Sequence, residues 1–440
     1  MKFPLYFSRK IAFSKDNKNN LSKVIIVIGR LSVAIGIIVS LITISTGYGS
    51  KKAIKERLAD FNGHLNVKST RSNSSYNTSV LDSTGLNIKK INELPDVDGV
   101  QKYATVTGIM RTEKDFAGII FKGIGKDFDS LRFKKFLVEG IAPKVSEKGY
   151  YNGVTISQKI SIDLHLKLHD SIVTIFSKAD QQPIYRKFEV VGIYKTDIKM
   201  IDDQTVLGDI NHVRRIQNMS KNDIGGLDIF IKDSSVFETI IAKIKKANRT
   251  EKSIPHILSL IFDKYDSTSE AVPQVEKFVG YKNYIENALE RYPQIRDWIS
   301  IFDVNIALII IIMLIVVIIN IIMVLLILII ERTNSIGLLK TLGATNAQIR
   351  ATFINYTLII MVPGLVFGNA IGLSLLFIQR FFGIITLNPA NYYVSTVPVD
   401  LDPVAIISIS VGILIISGLA LIIPSYLISK ISPVKAIKYN

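Results

Sequence analysis

The sequence predicts an α+β membrane protein with four transmembrane helices in a one-plus-three arrangement and a large extracytoplasmic α+β domain between helices 1 and 2. Two observations predict it. Four apolar stretches, 24–47, 301–330, 352–378 and 403–428, are each long enough to cross ~30 Å of hydrocarbon as a helix. Between the first two lies a polar block, 48–300, in which strand-like alternation and helical periodicity both occur. A soluble reading would need several buried helices of improbable apolarity. The remaining segments follow: 1–23 before the first span, 331–351 between the second and third, 379–402 between the third and fourth, and 429–440 after the last.

Charge in the short loops sets the expected orientation. Segment 1–23 carries Lys2, Arg9, Lys10, Lys15, Lys18 and Lys23 against Asp16; segment 331–351 carries Arg332, Lys340 and Arg350 against Glu331; the tail adds Lys430, Lys435 and Lys438. The 379–402 loop has only Arg380 against Asp400 and Asp402. Both termini are therefore expected in the cytoplasm, with 48–300 outside. The first stretch lacks a small-residue cleavage site and reads as a signal anchor. The net charge of +16 is explained in part by these loops, and the other Lys and Arg alternate with Asp and Glu, which argues against nucleic-acid binding. The absence of cysteine excludes a disulfide framework.

In the first span, Arg30 is expected to snorkel to the cytoplasmic face. Beyond it, 51–61 continues as an amphipathic helix with Ile54, Leu58 and Phe61 on one stripe. Residues 301–330 as one helix would measure ~45 Å, more than the hydrocarbon thickness, so the second span is expected to project outward as a stalk against which that stripe packs. The alternative is that both are ends of tilted helices. In the outer block, strands are expected at Leu65–Ser69, 103–110, 118–123, Ser171–Phe176, 187–193 and 227–231, and helices near 88–94 and 235–246.

Three motifs in this block are decoys. Gly123-Ile-Gly-Lys126 is not a phosphate loop, because Ile120 stands where its first Gly belongs and Asp127 replaces the Ser or Thr. His165 and His169, flanked by Asp163 and Asp170, have metal-ligand spacing for a helix, but Leu164, Leu166 and Leu168 alternate as on a strand or turn edge, and no metal site is expected. Asn73, Asn77 and Asn248 begin glycosylation-like triplets and read as solvated loop residues.

Within the membrane there is no paired carboxylate and no mid-depth cation for an ion relay. Asn320, Asn355 and Asn369 read as interhelical hydrogen-bonding residues, and Gly364, Gly368 and Gly372 after Pro363 form a small-residue ladder for close helix packing. Between spans two and three, Glu331-Arg-Thr-Asn-Ser-Ile-Gly-Leu-Leu-Lys-Thr-Leu-Gly-Ala-Thr-Asn-Ala-Gln-Ile-Arg350 reads as a helix between two turns. Ile336, Leu339 and Gly343 share a stripe with Leu338 and Leu342 beside it, and Gly343 suits a left-handed cap. Thr345 and Gln348 form a capping box opening the third span. A short apolar helix at a membrane face needs a partner or lipid to cover it.

This run resembles the coupling segment of FtsX-like ABC-transporter permeases, Glu-Arg-x-x-x-Ile-Gly-x-Leu-[Lys/Arg]-x-Leu-Gly-Ala, through Glu331, Arg332, Ile336, Gly337, Leu339, Lys340, Leu342, Gly343 and Ala344. Residues 22–36, Phe61-Asn-Gly-His-Leu-Asn-Val67, Tyr392-Tyr-Val-Ser-Thr-Val-Pro-Val-Asp-Leu-Asp402 and Pro424-x8-Pro433-Val-Lys-Ala-Ile437 resemble the lipoprotein-releasing, LolC/LolE-type branch. The resemblance implies a non-catalytic permease of the bacterial inner membrane. It implies a second permease, a homodimer copy or a paralogue, and cytoplasmic ATPase subunits that hold ATP and Mg; no cofactor is expected on this chain. The substrate it implies is a lipoprotein extracted by mechanotransmission, with a periplasmic carrier as a further partner. The outer domain is implied to be a porter-like subdomain with a β-rich insertion, placed at about 130–222. The hairpin loop that engages the carrier in that branch corresponds to 177–186, which is short here, and 250–290 is longer than the family's link. Family geometry places acyl-chain contacts around 39–46 and 301–308. The alternatives are macrolide-exporter-like efflux, although no fused ATPase is present, and an FtsX-like signalling role controlling a periplasmic wall hydrolase.

Overall fold

The computed structural model describes residues 20–72, 77–82, 85–147, 149–177, 182–232 and 267–430, with Pro4, Tyr6 and Ser8. The expected helix at 235–246, the end of the C-terminal signature, Asn73, Asn248 and most of the terminal cations lie outside these residues, as do parts of the 177–186 loop and the 250–290 segment. The chain forms two compact units. A membrane unit comprises Met1–Lys51, Ile299–Ile385 and Val397–Asn440; a sheet domain comprises Lys52–Trp298 and Thr386–Thr396.

Among the described residues, four helices are long and apolar enough to cross a membrane: Ile26–Asn62, Pro293–Glu331, Asn346–Phe382 and Pro403–Ile428. Their ends follow local chemistry. Proline opens the second and fourth, where its missing N–H costs nothing, and the Asp402 side chain caps the fourth by accepting from Val404 N at 3.0 Å. The third ends at Gly383, in the left-handed conformation with φ 56°.

The first helix is central to the membrane unit. Gly29, Gly36 and Gly47 face Val324, Val317 and Ile306 of the second helix, an antiparallel register in which both series step by seven and then eleven residues. These steps are close to two and three helical turns, so the three glycines share one face. Another face meets the third helix: a Cβ on Gly364 would lie 2.5 Å from the Arg30 carbonyl oxygen, one on Gly368 2.8 Å from that of Ala34, and one on Gly372 3.5 Å from Ile38 Cα. The glycine ladder is thus occupied by the chain's own first helix. Arg30 is exposed, and 21 residues later Lys51 Nζ pairs with Asp303 Oδ1 at 2.5 Å. At 1.5 Å per residue the interval is about 31 Å, one hydrocarbon thickness. The loop before the fourth helix is pinned to the first: Asp400 N donates to the Ser45 carbonyl at 3.0 Å, and the Pro398 carbonyl lies 2.5 Å from where a Gly49 Cβ would stand.

The sheet domain is built on β1 (Leu65–Ser69), β2 (Val97–Arg111), β3 (Phe116–Ile124), β4 (Leu137–Gly140), β5 (Gly153–Ser157), β6 (Ser171–Phe176), β7 (Ile184–Tyr194), β8 (Thr205–Asp209), β9 (Gly226–Ile231) and β10 (Asn283–Asn287). They form one sheet in the order β10-β1-β9-β2-β3-β8-β5-β7-β4, with β6 pairing β2 and β7. The 15-residue β2 makes this possible: its first half pairs β9 and its last four residues pair β6, while β3 runs along its other edge. Two strands of 130–222 therefore join it to the rest of the same sheet, β6 through β2 and β8 through β3. Residues 250–290 supply β10, which closes the sheet beside β1, and the helix Ser267–Glu276.

All six expected strands are present, and β4, β5, β8 and β10 are additional. β5 and β8 are only five residues long and buried at every position, with two apolar residues in each. The Ile54/Leu58/Phe61 stripe is buried, but Phe61 packs elsewhere than expected: its ring lies against Phe133, Phe136 and Tyr194, with centroids 6.2, 5.7 and 5.3 Å away. Aromatic rings inside the domain, rather than the second helix, cover that position. Arg57 and Asp60 on the same helix pair with Asp197 and with Arg132 and Lys135.

Candidate coupling site

The segment after the second span folds locally. Helix Thr333–Thr341 follows Glu331 at the end of the second helix with only Arg332 between, and the Thr333 hydroxyl donates to the Ile329 and Ile330 carbonyls at 3.0 and 2.7 Å. Its other end is a Schellman motif: Gly343 has φ +88°, its N–H donates to Lys340 O at 3.1 Å, and the Ala344 N–H donates to Leu339 O at 3.0 Å. The chain then enters the third helix through the capping box, with Gln348 N donating to Thr345 Oγ1 at 3.3 Å and Thr345 N to Gln348 Oε1 at 2.9 Å.

These turns fix which faces are covered. Ile336 and Gly337 are buried and Leu339 is half-buried, whereas Leu338 and Leu342, one turn apart, are 58% and 75% exposed. Two cations clamp the segment to the end of the fourth helix. Lys340 Nζ donates to the Ile428 carbonyl at 3.0 Å, one of the carbonyls a helix end leaves unpaired, and burial lowers its ammonium pKa. The Arg350 guanidinium lies 4.3 Å from the Tyr426 ring centroid. Sequence reasoning did not find Tyr426 or Ile428 as partners, although a cation in the last turn of a helix is a signal that a carbonyl end is near. The arrangement is a short, firmly held helix presenting two leucines.

The other singled-out residues are dispersed. Asn369 bridges helices, its Oδ1 accepting from Ser410 Oγ at 3.1 Å, whereas the Asn320 amide donates to the Val316 carbonyl of its own helix at 2.9 Å. Gly123-Ile-Gly-Lys126 ends β3 with Gly123 against Ile210, and Lys126 pairs with Glu147. His165 and His169 sit in turns with φ of 53° and 67°, and His169 Nδ1 is 2.9 Å from Glu189 Oε1. Among the described residues no group of three His, Cys, Asp or Glu is placed to hold a metal.

Residues 307–433 match the FtsX-like permease C-terminal family, and residues 30–252 match the MacB-like periplasmic core domain. The chain belongs to the FtsX/MacB family of ABC-transporter permeases. The permease is 20% identical over 455 residues to the lipoprotein-releasing system transmembrane protein LolE of Haemophilus influenzae, a match covering 99% of each chain. Among solved structures it is similar to the extracellular domain of the noncanonic ABC-type transporter YknZ from Gram-positive bacteria, at 13% identity and a TM-score of 0.30 over 51% of this chain and 99% of that one. It is also similar to the periplasmic region of MacB from Actinobacillus actinomycetemcomitans, at 14% identity and a TM-score of 0.30 over 55% and 97% of the two chains. The family and the four helices make the permease a protein of the bacterial inner membrane whose sheet domain is periplasmic.

Proposed function

We propose that the permease uses ATP hydrolysis by a separate cytoplasmic subunit to release lipoproteins from the inner membrane by mechanotransmission. The observation that carries this reading is the exposed Leu338/Leu342 pair at the end of a short helix that Lys340 ties to the end of the fourth membrane helix. An apolar surface on a rigid, short helix suits a docking partner whose motion is to be passed on, and Glu331, Arg332, Ile336, Gly337, Leu339, Gly343 and Ala344 set its shape. The likeness to LolE along the whole chain supports lipoproteins as substrates. In this reading both termini and the coupling segment are cytoplasmic, two permeases assemble with the ATPase subunits, and ATP and Mg are held by those subunits. Macrolide-exporter-like efflux is the second reading, favoured by the match to the MacB-like periplasmic core domain.

The test is reconstitution with the co-purifying ATPase in proteoliposomes that contain an acylated lipoprotein, scoring ATP-dependent transfer to a soluble carrier. Leu342→Asp alters an exposed side chain, so the variant should insert and fold while transfer is lost. Unchanged transfer by that variant rejects the docking role. ATP turnover without transfer by the unaltered permease, with verified substrate and carrier, rejects lipoprotein release.

A further inference from the structure

The sheet domain buries a charge cluster where its sheet meets the ends of both long helices. Lys122 of β3 is 6% exposed and Asp228 of β9 2% exposed, and Lys122 Nζ lies 2.7 Å from Asp228 Oδ2. Asn66 of β1 donates to Asp228 Oδ1 at 2.5 Å, and Tyr103 of β2 donates to Asn66 Oδ1 at 2.8 Å. Two further members come from the helices. Asn62, the last residue of the first helix, accepts from Lys122 Nζ at 3.2 Å through Oδ1 and donates to the Tyr292 hydroxyl at 3.1 Å through Nδ2. Tyr292 immediately precedes the second helix, and its neighbour Arg291 places Nη1 3.8 Å from Asp228 Oδ1. The Tyr103 ring sits beside both cations, 5.1 Å from Lys122 Nζ and 5.4 Å from the Arg291 guanidinium carbon.

One continuous path thus runs Tyr292–Asn62–Lys122–Asp228–Asn66–Tyr103, joining two helix ends to β1, β2, β3 and β9. Burial lowers the Lys122 pKa and the Arg291 charge adds to this, while Asp228 opposes both. A buried ion pair of this kind is a poor source of stability, because removing two charges from water costs about as much as their attraction returns. What it provides is one geometry: a half-satisfied buried network is costly, so the helix ends and the strands are held in a single relative position.

We propose that the buried Lys122–Asp228–Arg291 cluster, with Asn62 as pivot and Tyr292 as its second-helix contact, is the rigid joint that passes displacement of the two membrane helices into the sheet of the periplasmic domain. This inference rests on the mechanotransmission reading above. Asn62 is the critical member, because its single amide touches both the β3 lysine and the tyrosine that opens the second helix.

The sequence contains no cysteine, so two introduced cysteines can be spin-labelled without further change. Labels at Lys52→Cys, half-buried on the first helix, and Tyr185→Cys, exposed on β7, report the helix-to-sheet distance in the permease reconstituted with its ATPase. Two variants break the pivot at small cost in volume, Asn62→Leu and Tyr292→Phe; the second removes one hydroxyl. With the joint intact the distance distribution stays narrow with and without ATP. In each variant it is expected to widen on ATP addition, with lipoprotein transfer lost and the sheet domain still folded, as a cooperative melting transition shows, although at a lower temperature because a buried polar group has lost its partner. A distribution as narrow in both variants as in the unaltered joint overturns the inference and leaves the release reading standing. Failure of the unaltered permease to transfer lipoprotein, with widening still confined to the variants, overturns the release reading and supports the joint.

Discussion

Gly368 shows how much one residue constrains the membrane unit. A Cβ there would stand 2.8 Å from the Ala34 carbonyl oxygen and 2.9 Å from Ala34 Cα, and backbone atoms cannot rotate aside as a side chain can. Gly368→Leu should therefore force the first and third helices apart, at the upper end of the ~1–3 kcal/mol that overpacking typically costs. Gly412→Leu is the control, because nothing lies within 4 Å of its Cβ position. Thermal melting in detergent should separate the two, with a clear loss for the first only. The 364/368/372 ladder was legible because its four-residue spacing is the familiar signature of close packing. Gly29, Gly36 and Gly47 went unread because steps of seven and eleven share a face only on a helix already known to be straight. The reading of Asn320 as an interhelical residue shows the reverse difficulty, since an amide in a long helix can always turn back to the carbonyl four residues earlier.

Element boundaries were set by side chains that satisfy backbone groups. The Thr345/Gln348 box starts the third helix, and Gly343 ends the short one two residues before it, so the turn between them has little freedom. Thr345→Ala should cost about 1 kcal/mol of local stability through the lost cap. Hydrogen exchange at the first amides of the third helix should show the loss as faster exchange there, with none at β1. Both signals were legible because each involves residues three to five apart. The Lys340–Ile428 clamp was not, since its acceptor is a backbone carbonyl 88 positions away that carries no side-chain code. The same limit applied to strands: β1, Leu-Asn-Val-Lys-Ser, alternates in polarity and was read correctly, whereas β5 and β8 are buried at every position yet hold only two apolar residues each among Gly, Ser, Thr and Asp.

Across the whole molecule, the one-plus-three layout followed from hydropathy alone, while the single continuous sheet depended on pairings between distant strands. Acid should act through His212. It is buried among Tyr150, Phe188 and Phe121, its Nε2 lies 3.1 Å from the Tyr151 carbonyl oxygen, and burial lowers its pKa below the ordinary 6.5. Below that value the unfolded chain binds a proton that the folded domain resists, so stability falls as pH falls through 6.5 toward the lowered value. Asp202 acts in the opposite sense at more acid pH, since burial raises its pKa above 3.8 and the folded state holds the proton more readily. Melting of the full permease between pH 5 and 8 should show a decline below about 6.5, and His212→Gln should flatten it.

The two glycine contacts of the first helix, one through its own glycines and one through those of the third helix, have a consequence for sorting relatives. Positions 29, 36 and 47 admit the second helix, and 364 and 368 admit the first helix's own backbone. None of these five positions tolerates a side chain without moving a neighbour. A chain that carries the coupling signature but bulky residues at the five equivalent positions must assemble its lipid-embedded part by another geometry. These positions therefore distinguish permeases that share this membrane architecture from those that share only the periplasmic module.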